Sequence, residues 1–186
     1  VERAITRAFV QIQNADDARA DHLVFGRHAG FPDLQQPLLR GPGLWFWNDG
    51  EIKAEDIDAL CSFGINAKAR DSDTIGKFGL GMKSVFHLCE AFFFLAWNGK
   101  DMTTVGLSPW DPAIHPAWER MAAMDWEFLA EIGRTEWGIR PYPTRADWFL
   151  LWIPLRQECH LETPHGRSGS IIERFPGDNP KHDLEF

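Results

Sequence analysis

Ile75-Gly76-Lys77-Phe78-Gly79-Leu80-Gly81-Met82-Lys83-Ser84 is the stretch on which the interpretation of this chain turns. Its three glycines stand ahead of a predicted helix, Met82 to Cys89. Glycine lets the backbone turn tightly, and the start of a helix offers unpaired N–H groups to an anion with the helix dipole adding field. The spacing is not the G-x-x-x-x-G-K-[ST] of a Walker loop. No apolar strand leads into it, as a dinucleotide fingerprint requires. Taken alone, the stretch is either a flexible helix entry or a phosphate cradle.

Two segments upstream narrow the choice. Val1, Ala4, Ile5, Ala8, Phe9, Ile12 and Ala15 recur with the spacing of an amphipathic helix over residues 1–20. Within it, Val10, Asn14 and Asp17 share a face roughly opposite Ile5 and Ile12. Asn disfavours the middle of a helix because its side chain competes for the backbone. Val10 also fits poorly on a face that meets only water. A face lining a cleft accommodates all three, and the Asn14 amide oxygen is a suitable hard ligand for Mg²⁺ beside phosphate. Further on, the apolar run Leu44-Trp45-Phe46-Trp47 predicts a strand that ends in Asn48-Asp49-Gly50. Those three residues are commonly a turn. They also place a carboxylate where it can accept a hydrogen bond from the exocyclic amine of adenine.

The rest of the chain supplies the frame. Strands are predicted at Leu23–Phe25, Phe92–Trp97 and Trp148–Ile153, with residues 102–107 as a hairpin partner after Asn98-Gly99. Residues 27–43 are broken into a loop by Pro32, Pro37 and Pro42, residues 54–62 read as a helix, and 117–132 are weakly helical. Helices and at least four apolar strands in mixed order predict a two-layer α/β domain, of α+β character. The 186 residues suit one core, with apolar residues at 44% and charged residues at 25%. A formal charge of −8 argues against non-specific binding to nucleic acid or to an anionic membrane through this domain. Cys61, Cys89 and Cys159 are widely spaced and odd in number, which points away from a disulfide framework and towards a reducing, cytoplasmic setting. The start of the chain, already in helical phase and without Met, reads as a piece of something longer.

In order, Asn14-Ala15-Asp16-Asp17-Ala18, the Asn48-Asp49-Gly50 strand end, Phe63-Gly64-Ile65-Asn66-Ala67-Lys68 and the three-glycine stretch resemble the GHKL ATPase superfamily. That group includes DNA gyrase, the ninety-kilodalton heat-shock chaperones, sensor histidine kinases and mismatch-repair ATPases. The resemblance is strongest to the ATP-binding regions of the sacsin and Microrchidia families, through Gln13–Ala18 and Gly79–His87. It covers about residues 4–97, and the segment ending Pro154-Leu155-Arg156 is similar to a late strand of the sacsin type.

The resemblance implies a Bergerat-type ATP-binding fold, with a mixed, mostly antiparallel sheet, helices on one face and a mobile ATP lid at about residues 63–82. It implies a domain over residues 1–160, followed by a tail or the start of a linker over 161–186. The cofactors implied are ATP and Mg²⁺. Asn14 would coordinate the metal and Asp17 would face the nucleotide through water. Asp49 would hold the adenine amine, with Asn48 as the fallback. Gly79, Leu80 and Gly81 would offer backbone N–H groups to the phosphates, Gly76, Lys77, Phe78 and Met82 would be ATP-binding residues of the lid, and Lys68 and Lys83 are the candidates for neutralising charge.

Two departures bear on activity. Hydrolysing members carry a Glu four residues before the metal-binding Asn, as general base. That position is Val10, which cannot take a proton. The second glycine of the usual D-x-G-x-G is also lost in Asp49-Gly50-Glu51-Ile52-Lys53. The expected function is therefore a Mg²⁺-dependent ATP-binding switch in a larger chaperone-like or defence-type protein. Its partners would be ATP or ADP and further domains or a second subunit. The alternatives are an ATPase with a non-standard base, and an interaction module that keeps the fold without nucleotide. Elsewhere, His87 is expected as a packed core residue, and Trp110, Trp118, Trp126 and Trp137 as core or as a partner surface.

Overall fold

Phe92-Phe93-Phe94-Leu95-Ala96-Trp97, Trp148-Phe149-Leu150-Leu151-Trp152-Ile153 and Leu44-Trp45-Phe46-Trp47 contain no polar alternation, and they form the middle of one sheet. The computed structural model describes residues 14–53, 55–57, 84–108, 120–137 and 147–156, and the backbone of short strands at 162–163, 166–167 and 182–185. Its strands are β1 (His22–His28), β2 (Gly43–Asn48), β3 (Phe92–Asn98), β4 (Met102–Leu107), β5 (Asp147–Pro154), β6 (Glu162–Thr163), β7 (Gly166–Arg167) and β8 (His182–Glu185). Six of them build a sheet in the order β4-β3-β5-β2-β1-β8, while β6 and β7 pair separately. Every pairing is antiparallel. Segment 161–186, expected as a tail or linker, thus contributes β8 to the sheet edge beside β1.

Register sorts the side chains into two faces. Val105, Phe94, Leu151, Phe46 and Phe25 stand in one row across β4, β3, β5, β2 and β1. On this face they meet Ala15, Ala20, Val85, Leu88 and Cys89. The neighbouring row runs Phe93, Trp152, Trp45 and Gly26. Its face is covered by Phe31 and Leu34 from the connection after β1, by Leu39 of a short helix, Pro37–Arg40, that interrupts the loop expected over residues 27–43, and by Leu129 and Ile132 of the helix Ala123–Ile132. The expectation of helices on one face is corrected: both faces are covered. An antiparallel sheet with one wet face alternates polar and apolar residues, and these runs do not. The α+β class stands.

The second face is aromatic. The indoles of Trp45 and Trp137 stack at 4.6 Å and 3°, and those of Trp137 and Trp152 at 5.8 Å and 3°. Room for them comes from glycine in the strands. A Cβ on Gly43 would lie 2.3 Å from Trp152 Cζ2, and one on Gly26 would lie 3.0 Å from Trp45 Cε2. Trp137 is therefore core, and Trp126 packs against Phe93; Trp110 and Trp118 lie outside the described residues. No helix among the described residues is long and apolar enough to cross a membrane.

Candidate functional site

The opening helix is described from Asn14 onward, over residues 14–17. It ends in a Schellman arrangement. Ala20 N–H donates to Ala15 O and Arg19 N–H to Asp16 O, each at 2.9 Å, with Arg19 in the left-handed region at φ 55°. Ala15, fully buried, anchors the segment to the first face of the sheet. Asn14 is consequently half-buried and Asp17, one turn on, is exposed. The Asn14 amide bonds to no described residue.

Asn48-Asp49-Gly50 is not a hairpin turn, since β2 pairs with β1 and β5, both distant in the chain. The three residues instead abut the end of the helix. Glu51 N–H donates to Ala18 O at 3.1 Å. A Cβ on Gly50 would sit 2.6 Å from Ala18 Cβ, so no larger residue fits there without displacement. Asn48 Oδ1 accepts from Gly50 N–H at 3.0 Å, which uses the Asn48 side chain inside the turn.

Asp49 is 3% exposed. Its Oδ1 accepts from Asp21 N–H at 2.9 Å and His22 N–H at 2.8 Å, at the entry to β1. Two backbone donors on one oxygen hold the carboxylate plane in a set direction. Among the described residues none donates to Oδ2, so that oxygen keeps its acceptor capacity. A buried carboxylate with one oxygen anchored and one available is suited to take a hydrogen bond from an amine or amide of a ligand.

The segment that follows the glycine stretch enters at Ser84. Here Ser84–His87 is a 3₁₀ turn rather than the expected α-helix through Cys89. Val85 and Leu88 are buried against the same sheet face as Ala15, with Ile52 packed at its edge. His87 is exposed, which corrects its expected place in the core. Lys68, Gly76, Lys77, Phe78, Gly79, Leu80, Gly81, Met82 and Lys83, the lid at 63–82 and Val10 all lie outside the described residues. The structure thus brings the Asn14–Ala18 helix, the Asp49 turn and the chain leading from the glycine stretch onto one face.

Two buried charged groups had gone unnoticed in the sequence. Asp125, fully buried on the helix Ala123–Ile132, accepts from Gln35 N–H at 3.1 Å and Gln36 N–H at 2.8 Å and so docks that helix on the loop after β1. Glu90 is buried beside Arg156, Nε to Oε1 being 2.7 Å. The signal for this pair was present as Pro154-Leu155-Arg156 after an apolar run, but its partner is 66 residues upstream by number (156 − 90). The Cys89 thiol is pushed up above its ordinary range, chiefly by burial.

A profile of the family described as the Sacsin domain matches residues 9–119, more than half of the chain. Human Sacsin is similar, at 33% identity over a 90-residue alignment that covers 42% of this chain and 2% of that protein. The chain therefore spans a very small part of that relative's length.

Proposed function

The chain belongs to the Sacsin domain family, and from that premise we propose that it is a Mg²⁺-dependent ATP-binding switch domain of a larger chaperone-like or defence-type protein. The observation that supports this most directly is Asp49, buried, pinned through Oδ1 and set against the end of the helix that carries Asn14. In this proposal Oδ2 takes the adenine amine. The donor set suits Mg²⁺, which keeps several waters and needs only one or two protein oxygens beside phosphate. Asn14, half-buried and with its amide bonded to no described residue, would supply one such oxygen, and Asp17 would act through water. When bound, the ion would neutralise phosphate charge.

Membership of the GHKL superfamily, a Bergerat fold and a lid at 63–82 belong to the same proposal. The roles of Lys68, Gly76–Met82 and Lys83 rest on the motif resemblance. Ordering of such a lid draws its free energy from differential affinity between open and closed forms, and its partners would be further domains or a second subunit in a cytoplasmic setting. Binding is proposed rather than turnover, because Val10 offers no proton acceptor at the position of the usual general base.

Calorimetry with ATP or ADP and Mg²⁺ tests this, using Asp49→Asn as the diagnostic variant. Asn retains an oxygen for the Asp21 and His22 N–H groups but turns a donor towards the adenine amine. A site left with opposed donors should lose on the order of 100-fold in affinity or more. Asn14→Ala should weaken binding with Mg²⁺ and change metal-free binding little. Absence of binding by the parent at millimolar nucleotide, or equal binding by Asp49→Asn, would overturn the proposal.

A further inference from the structure

We propose that the outer side of the helix Ala123–Ile132 is a docking surface for a basic amphipathic helix of a partner protein. Two features of this one helix run against what burial favours. Asp125 is fully buried, whereas Met124 is 58% and Phe128 37% exposed. Apolar residues scattered singly on a surface need no explanation, but a carboxylate inside and two large apolar side chains outside the same helix do. The carboxylate sets the rotation. Asp125 Oδ1 accepts from Gln35 N–H at 3.1 Å and Oδ2 from Gln36 N–H at 2.8 Å, which holds it inward with Leu129 and Ile132, at i+4 and i+7. Met124, Phe128 and Glu131 follow the same spacing along the outer side. Phe128 is itself held in place, its ring meeting that of Phe31 edge-on at 5.0 Å.

Size and charge select the occupant. Two side chains make a narrow stripe, short of the roughly 800 Å² that each partner gives to a standard interface. Such a stripe fits one helix lying alongside, which grips through anchors three and four residues apart. Methionine adapts to apolar partners of varied shape, and Phe128 supplies the fixed anchor. Glu127 and Glu131 are exposed beside them. Glu127 bonds to no described residue. Glu131 pairs with Arg134 at 3.1 Å, with both side chains more than half exposed, and a pair so placed is weakly held. A second copy of this chain, at a formal charge of −8, would bring the same carboxylates against each other. Lysines or arginines beside an apolar stripe complement them instead. The helix packs on the sheet face away from Ala15, so this surface stands apart from the nucleotide proposal.

The probe is a fluorescein-labelled peptide of about 18 residues with Leu on one helical face and Lys on the other, long enough to hold a helix on contact. Its binding to the 186-residue chain is read by fluorescence anisotropy and located by hydrogen exchange. The parent should bind it, with exchange slowed over the helix Ala123–Ile132. Met124→Gln should weaken binding about fivefold or more at an unchanged melting temperature, since that side chain is mostly in water. Glu127→Gln should weaken it about threefold and lessen its dependence on salt. No binding by the parent at about 0.1 mM peptide overturns the proposal, as does Met124→Gln binding within about twofold of the parent. If Met124→Gln does not fold, Glu127→Gln with the parent's affinity and salt dependence overturns it. Equal binding of the same peptide with Glu in place of Lys overturns it too, as does protection that leaves this helix unchanged. A parent dimer in sedimentation that Met124→Gln dissociates would assign the surface to a second copy and overturn it likewise.

Discussion

At Asp49 one carboxylate holds the entry of β1 through Oδ1 and, in the proposed site, would meet a ligand through Oδ2, which is why Asn, and not Ala, is the informative replacement. The residue was legible as a carboxylate at a strand end, because Asn48-Asp49-Gly50 follows an apolar run. Its attachment to Asp21 and His22 was not, since no local pattern marks a bond across 27 or 28 positions. Cys89 carries a prediction at this scale. Burial holds its thiol protonated in the native state, whereas in the unfolded chain it ionises near pH 8.5. Above that pH the unfolded state binds fewer protons than the native one, so stability falls as pH rises, by up to about 1.4 kcal/mol per pH unit. Denaturant titrations between pH 8 and 11 should show a shallower decline for Cys89→Ala than for the parent. In the native protein, peptide mapping after iodoacetamide treatment at pH 8 should find Cys89 unmodified until denaturant is added.

Among elements, the apolar strands were the most legible. Leu44–Trp47, Phe92–Trp97 and Trp148–Ile153 all lie inside strands, and the Asn98-Gly99 turn joins β3 to β4, with Asn98 Oδ1 accepting from Lys100 and Asp101 N–H groups. The 3₁₀ turn and the helix Ala123–Ile132 were less so. That helix was expected from residue 117, but it starts at Ala123 and turns the charged Asp125 inward to the loop at Gln35 and Gln36. Buried charge on the packed side blurs the apolar stripe from which a helix is read. Gly43 tests the aromatic face. Its missing Cβ would strike the Trp152 ring, which is wedged under Trp137 and cannot withdraw. Gly43→Ala should therefore cost about 1–3 kcal/mol, as overpacking does, seen as a lower denaturation midpoint at unchanged slope.

For the whole molecule, a ligand that binds only the native state must raise its stability by mass action. ATP with Mg²⁺ at one hundred times its dissociation constant should add about 2.7 kcal/mol. In a domain of this size each of those kcal/mol moves the midpoint by about 2–4 °C. Thermal melting with and without nucleotide should accordingly show a rise of several degrees in the parent and a much smaller one in Asp49→Asn. The amino-acid sequence by itself determined the apolar segments that form β1 to β5, the α+β class and the places of the polar motifs along the chain, because period, turn residues and motif spacing act over a few neighbouring residues. Only the tertiary structure decided that both faces of the sheet are covered, that β8 closes an edge, that Gly50 presses on Ala18 and that Arg156 reaches Glu90. Those facts depend on register and on packing between residues far apart in the chain, and such contacts leave no periodic trace in the order of the residues.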